Sequence, residues 1–456
     1  MPPFLDLHPL RLSAPRALAL RPPGSKSITN RALILAALSP PRATPTSLSG
    51  LLLADDTRRM LEALAFLGYT LHLDEPARTL LLHGRGADIP TLAPDAPALS
   101  CGNSGTTLRF LAAMLSLGAG DYTLDGVPRM RERPIAELVD QLRALGAPID
   151  YPLRDGYPPI RIHARGLAGG HAQFHDAKSS QYISALLMAA PYAQSPISIR
   201  LEGPITSEPY IAMTTRMMQQ FGVQVSARDE PAARILDVPL GQYSAPGGAY
   251  AIEPDASNAS YFWAAGAIIP GLSVTVDGLS AASLQGDVAV ADVLAEMGAR
   301  VTSSPGSITV AAPAGGEALH GIERDMNAIP DMVQTIAVVA LFAQGRTVLK
   351  NVWNLRVKET DRLAALEKEL AKFGARVETG RDWIAIDPPA REQLEGDALP
   401  RVDVETYDDH RMAMAFAVAG LRRGGGGVRI LDPGCTAKTY PEFFDDLQRL
   451  FPVAHT

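Results

Sequence analysis

The sequence predicts an α/β protein of six units of about 76 residues, with helices inside and sheets outside, grouped as two equal domains. Three observations carry this expectation. An amphipathic stretch recurs with a terminal glycine, an almost wholly apolar stretch recurs out of step with it, and short β-branched runs lie between the two.

The amphipathic stretches are RRMLEALAFLGY, AELVDQLRALGA, TTRMMQQFGV, VADVLAEMGA and LEKELAKFGA, with glycines at Gly68, Gly146, Gly222, Gly298 and Gly374. Successive glycines are 78, 76, 76 and 76 residues apart. Apolar residues at i, i+3, i+4 and i+7 predict surface helices, and the glycine supplies a left-handed C-terminal cap before a strand such as ARVET. A sixth copy, EFFDDLQRLF, ends at Phe451 without a turn glycine.

The apolar stretches are SITNRALILAAL, SGTTLRFLAAML, SQYISALLMAA, SNASYFWAAGAII, DMVQTIAVVALFA and DDHRMAMAFAVAG. Counted from Ser27, Ser104, Ser180, Ser257, Asp331 and Asp408, the steps are 77, 76, 77, 74 and 77. They are too short to cross a bilayer, so they are expected as helices buried in a core, each opened by a Ser or Asp of the kind that caps a helix N-terminus. A linear solenoid is the simpler alternative, but it seldom places an apolar helix in every unit.

Three units per domain divide the chain into residues 22–249 and residues 1–21 with 250–456, 228 residues each. The chain would then cross between domains near Arg21 and Tyr250, making a hinge beside a cleft, and the cleft is the expected ligand site.

Composition narrows the function. A net charge of −7 and a pI near 5.8 argue against a nucleic-acid groove or a membrane-surface face. Two cysteines, Cys101 and Cys435, make neither a disulfide framework nor a thiolate zinc site, and nine histidines show no metal-binding spacing, so neither metal nor cofactor is expected. No apolar run reaches the ~20 residues of a membrane span, and fewer than about 25 residues precede the first motif, so a cytoplasmic location is expected rather than a plastid one.

Parallel buried helices would aim their N-termini, each with free N–H groups and about half a positive charge, into the cleft as an anion trap. Lys26, Ser27, Arg31, Gly105, Thr106, Ser179, Ser180 and Gln181 stand at these places in one domain, and Asp331, Asp409, His410 and Arg411 in the other. GSKS at Gly24–Ser27 lacks the spacing of a phosphate-binding P-loop, and an anion contact for Lys26 is favoured over a solvated loop lysine. Arg133 in RERP and Lys358 and Arg362 in VKETDR precede amphipathic helices, where cations are unfavourable unless an anion binds. With Lys26, Arg31, Arg411 and Lys438 they make seven cations at motif positions, so the ligands should carry several negative charges. Asp331, Glu359 and Asp409 among them are candidates for acid/base work or, equally, for salt bridges that hold the cations; Glu359 and Asp361 could also serve the helix dipole.

PPGSKSITNRALILAAL, CGNSGTTLRFL, RMRERPIAELVDQLRALGA, SSQYISALLMAAPYA, DMNAIPDM, NLRVKETDRLAAL, YDDHRMAM and DPGCTAKTYPEFF together resemble the 5-enolpyruvylshikimate-3-phosphate (EPSP) synthase family, in its order and over nearly the whole chain. The resemblance implies two domains, each of three βαβαββ units in an inside-out α/β barrel. It also implies enolpyruvyl transfer from phosphoenolpyruvate to the 5-hydroxyl of shikimate 3-phosphate, on the route to chorismate and the aromatic amino acids.

Carried over by motif, Lys26, Ser27, Arg31, Ser179, Ser180, Gln181, Ser207, Tyr210, Asp331, Asn354 and Lys358 would bind shikimate 3-phosphate. Lys26, Gly105, Arg133, Gln181, Arg362, Arg411 and Lys438 would bind phosphoenolpyruvate. Asp331, Glu359 and Lys26 would be catalytic, and the protein would be a monomer. Phe110 replaces a frequent proline and Leu355 a frequent tryptophan; both are expected to be packing changes. Gly105 matches the glycine that leaves room for glyphosate, so inhibition is expected unless Phe110 shifts the helix. The sibling UDP-N-acetylglucosamine enolpyruvyl transferase is the alternative; it uses a cysteine on a mobile loop, whereas Cys101 reads as a small buried residue.

Overall fold

The computed structural model describes residues 2–93 and 95–452. The chain divides into two compact units, Gly24–Glu253 and Met1–Pro23 with Pro254–Thr456. The boundaries lie after Pro23 and Glu253, and the second falls beyond residue 249 because strand Ala249–Ala251 pairs with Thr46–Ser49 inside the first of these units.

All six apolar stretches form helices buried around their circumference: Lys26–Ala37, Gly105–Leu115, Ser180–Ala189, Ala256–Ile268, Val333–Ala340 and His410–Gly420. The amphipathic stretches form Asp55–Phe66, Ala136–Ala144, Pro209–Gln220, Val290–Glu296, Arg362–Ala371 and Phe443–Leu450, each burying one face. The five glycines that end the first five copies all have φ between 84° and 102°, the left-handed cap that a Cβ would strain.

The sheets repeat one pattern. In Gly24–Glu253 each of three four-stranded sheets has one parallel pair and two antiparallel pairs; one runs Ala249–Ala251, Thr46–Ser49, Thr79–Leu82, Leu71–Asp74. The other unit repeats it in Arg16–Leu20, Leu272–Asp277, Ser307–Ala311, Arg300–Ser304 and again in the sheet around Thr347–Lys350. A further sheet of this unit has three strands, with N-terminal Phe4–Leu7 antiparallel to Val428–Leu431 and the latter parallel to Val402–Val404, and a short parallel pair joins Leu319–His320 to Ala343–Gln344. Pairing of the chain's first strand with its last repeat excludes a linear solenoid. The fold is mixed α/β.

Side chains that join the buried helices sit in their first two turns, so neighbouring helices run parallel with their N-termini together. Asn30 Nδ2 donates to Thr106 Oγ1 at 2.7 Å, Arg109 Nη1 to Gln181 Oε1 at 2.6 Å, and Arg31 Nη2 to Ser184 Oγ at 3.1 Å. The other unit repeats the arrangement: Ser260 and Thr335 hydroxyls meet at 2.9 Å, and Arg411 Nη2 reaches Ser257 Oγ at 3.4 Å. No helix is long and apolar enough to cross a membrane among the described residues.

Candidate active site

Five of the buried helices carry a side-chain cap: Ser25, Ser104, Ser179, Asp255 and Asp409. The counting residues Ser27, Ser180, Ser257 and Asp408 are therefore not the caps themselves, which lie one or two positions away. Helix Val333–Ala340 is the exception. Asp331 lies in a 3₁₀ turn, Pro330–Met332, makes no cap, and turns its carboxylate to three cations instead.

In Gly24–Glu253, the PPG turn lies so close to the next strand that a Cβ on Gly24 would come 1.8 Å from the Gly50 carbonyl oxygen. Lys26 is the first residue of helix Lys26–Ala37 rather than a loop lysine, half-buried, with Nζ 3.2 Å from Asp56 Oδ2. Arg31, 1% exposed, donates from Nε to Thr214 Oγ1 at 2.7 Å, from Nη1 to the Ser27 carbonyl at 2.9 Å, and from Nη2 to Ser184 Oγ and the Tyr210 carbonyl. Every one of these partners is neutral. Burial pushes its pKa down to about 10, so the group stays charged at neutral pH.

Arg133, 6% exposed, donates from Nη1 to the Asn103 carbonyl at 3.0 Å, and its Nε has no hydrogen-bond partner among the described residues. Gly105 opens its helix beneath this group: an added Cβ would lie 2.4 Å from Arg109 Nη1 and 2.7 Å from Arg133 Nη2. Ser179 caps the third helix, Ser180 is buried at its first position, and Gln181 holds Arg109. Ser207 is buried with φ 59°, a left-handed backbone rare for serine, and its carbonyl accepts the Tyr210 N–H. Arg31 and Arg133 are thus sealed guanidinium groups that no carboxylate pairs with among the described residues.

The other unit gathers its ions around Arg362, itself 1% exposed. Its Nε donates to Asp409 Oδ2 at 2.7 Å, Nη1 to Asp331 Oδ1 at 2.9 Å, and Nη2 to Glu359 Oε2 at 2.7 Å. Lys358 Nζ lies 3.4 Å from Asp331 Oδ1, Arg411 Nη2 3.2 Å from Asp331 Oδ2, and Lys438 Nζ 3.4 Å from Glu359 Oε1. Four cations and three carboxylates form one network. Burial opposes ionisation of Asp331, but Arg411, Lys358 and Arg362 outweigh it and hold the carboxyl well below the usual range. Asn354 is buried in the turn Trp353–Val357, and its Oδ1 has no partner among the described residues.

The alternatives left open for the carboxylates divide. Asp361 is a helix cap whose side chain accepts from Ala364 N–H at 3.1 Å, while Glu359 belongs to the ion network. Cys101 is fully buried, and burial pushes its thiol up, so it offers no ready thiolate. Leu355 and Phe110 are both buried core residues, and the Phe110 ring centroid is 5.1 Å from the Arg31 guanidinium.

Sequence reasoning missed Asp56, Arg109 and Asp287. Asp56 is indistinguishable from a first-turn dipole partner, and Arg109 lies within an apolar helix with no spacing signal. Asp287 is buried in the turn Gly286–Ala289 and accepts from Ser257 Oγ, which in turn meets Arg411.

The chain matches the family described as EPSP synthase (3-phosphoshikimate 1-carboxyvinyltransferase) over residues 14–447. It is 46% identical over 428 residues to the 3-phosphoshikimate 1-carboxyvinyltransferase of Shewanella amazonensis, covering 94% of this chain and 95% of the relative. It is 47% identical over 451 residues to that of Pectobacterium carotovorum, covering 99% of both. Among solved structures, EPSP synthase from Acinetobacter baumannii superposes with a TM-score of 0.78 at 26% identity, covering 98% of each chain. The enolpyruvyl transferase NikO from Streptomyces tendae shares the fold, with a TM-score of 0.73 at 17% identity over 98% of this chain and 97% of that one. The chain belongs to the EPSP synthase, or 3-phosphoshikimate 1-carboxyvinyltransferase, family.

Proposed function

We propose that the chain joins phosphoenolpyruvate to the 5-hydroxyl of shikimate 3-phosphate and releases inorganic phosphate, and that the buried cations of both units serve this one reaction. Family membership supports the reaction. The observation that carries the substrate class is the pair of sealed guanidinium groups, Arg31 and Arg133, with no carboxylate partner among the described residues. Burying an uncompensated charge is costly, and substrates with phosphate and carboxylate groups supply the compensation.

In this reading Lys26, Ser27, Arg31, Ser179, Ser180, Gln181, Ser207 and Tyr210 hold shikimate 3-phosphate from one unit, and Asp331, Asn354 and Lys358 from the other. The unpartnered Asn354 Oδ1 suits a substrate hydroxyl. Phosphoenolpyruvate takes Lys26, Gly105, Arg133 and Gln181 with Arg362, Arg411 and Lys438. Each unit, in this reading, is a set of three βαβαββ repeats with its helices inside, and the two close on the substrates.

Chemistry proceeds by addition and elimination. Asp331 takes the 5-hydroxyl proton as that oxygen attacks C2 of phosphoenolpyruvate, while C3 receives a proton by way of Glu359 and Lys26. The tetrahedral adduct then loses the C3 proton and its phosphate, with cleavage of the C–O bond. A carboxylate as depressed as Asp331 is correctly ionised but a weak base. Substrate anions that share Lys358, Arg362 and Arg411 raise its basicity as the complex forms. The cations stabilise the developing charge in a dry site.

The reading extends to a cytoplasmic monomer inhibited by glyphosate in competition with phosphoenolpyruvate, and an inhibition titration against phosphoenolpyruvate tests that part. The acceptor is tested by phosphate release from phosphoenolpyruvate with either shikimate 3-phosphate or UDP-N-acetylglucosamine present. Release with shikimate 3-phosphate alone is expected; release with the nucleotide sugar alone rejects the reading.

A further inference from the structure

The Arg31 guanidinium is a buried cation held by neutral groups, with two aromatic rings and, among the described residues, no carboxylate beside it. Its Cζ lies 5.1 Å from the centroid of the Phe110 ring and 5.8 Å from that of Tyr210. Both distances fall within the ~6 Å over which a ring quadrupole attracts a cation. Phe110 is 1% exposed and occupies the sixth position of the Gly105–Leu115 helix, so its ring is fixed by the packed core. Four of the five guanidinium hydrogens are directed at Thr214, Ser27, Ser184 and Tyr210, which leaves one Nη1–H uncommitted.

We infer that Phe110 is a positioning residue for the reaction: its ring fixes the Arg31 guanidinium by a cation–π contact, leaving its charge for an anionic group of shikimate 3-phosphate. The inference rests on the reading that Arg31 binds that substrate. A carboxylate at the same place would hold the guanidinium equally well, but would cancel the charge the substrate needs. An aliphatic side chain would fill the volume and leave the cation without this attraction. The Phe110 ring lies against Arg31, whereas Arg133 is held by Asn103 and Arg362 by three carboxylates. Weakening the ring's face should therefore act on one substrate and spare the other.

Fluorinated phenylalanines tested at position 110 separate this from packing, because successive ring fluorines drain the π face while nearly conserving shape. Mono-, di- and pentafluorophenylalanine should raise the KM for shikimate 3-phosphate stepwise, to about five- to tenfold, at unchanged thermal midpoint and nearly constant KM for phosphoenolpyruvate. Phe110→Leu should give a rise at least as large. A KM for shikimate 3-phosphate that stays flat across the fluorine series overturns the inference. Arg31→Gln, run alongside, tests the underlying reading: if it leaves shikimate 3-phosphate affinity intact, Arg31 is not its ligand and both fall. If Arg31→Gln weakens affinity while the series stays flat, only the role of Phe110 falls.

Discussion

Arg362 Nε and Asp409 Oδ2 meet at 2.7 Å with side chains 1% and 0% exposed, the most completely sealed ion pair in the Arg362 network. Asp409 also caps the last buried helix, accepting the Arg411 N–H at 2.9 Å. One carboxylate thus holds the Arg362 guanidinium and sets the backbone from which Arg411 projects, and both residues are assigned to phosphoenolpyruvate.

Removing that carboxylate should cost both stability and binding. Asp409→Ala loses a helix cap and one of three partners of a buried guanidinium, and should destabilise its unit by about 3 kcal/mol. The KM for phosphoenolpyruvate should rise more than that for shikimate 3-phosphate. Urea unfolding and steady-state kinetics check both; parental values in the two assays would show that Asp331 and Glu359 suffice to hold Arg362.

Gly105→Ala should act through geometry alone. The new methyl would press on Arg109 Nη1 and Arg133 Nη2, the far ends of two long side chains rather than backbone, so the fold survives while Arg133 shifts. We expect about a tenfold rise in KM for phosphoenolpyruvate with the KM for shikimate 3-phosphate little changed. Equal effects on the two substrates would separate Arg133 from the phosphoenolpyruvate position.

Asp287 sets a pH dependence of stability. Burial first, and then the neighbouring Asp331, push its carboxyl up to about 6 against the pull of Arg411 and Ser257. Between the ordinary value of about 3.9 and 6, the folded state binds a proton that the unfolded state does not, so this group's contribution falls as pH rises. From pH 5 to 7.5 the loss is about 1.4 kcal/mol. Asp287→Asn should lack this loss, so its stability relative to the parent, read by urea unfolding at both pH values, should improve by that amount; parallel profiles would contradict the assignment.

The repeat and the buried helices were legible because periodicity and turn glycines are local signals, and Gly68 and Gly146 carry the expected left-handed backbone. The cations were legible as violations of local rules: Arg362 at the start of a helix is unfavourable until its three carboxylates are seen. What pairs with what was not legible. Asp331 and Arg411 are 80 residues apart, and only the packing of helix His410–Gly420 beside helix Val333–Ala340, which Asp331 precedes, brings the two together. Asp56 carries the same signal as any helix-opening aspartate, and a cation–π contact such as that of Phe110 with Arg31 has no sequence signature.

The most direct test of enolpyruvyl transfer is the fate of the oxygen bridging carbon and phosphorus in phosphoenolpyruvate. With that oxygen labelled as the heavy isotope and shikimate 3-phosphate as acceptor, the account predicts that all of the label leaves in inorganic phosphate, because the C–O bond breaks. Label retained on the three-carbon fragment would mean P–O cleavage and phosphoryl transfer, and would contradict the account.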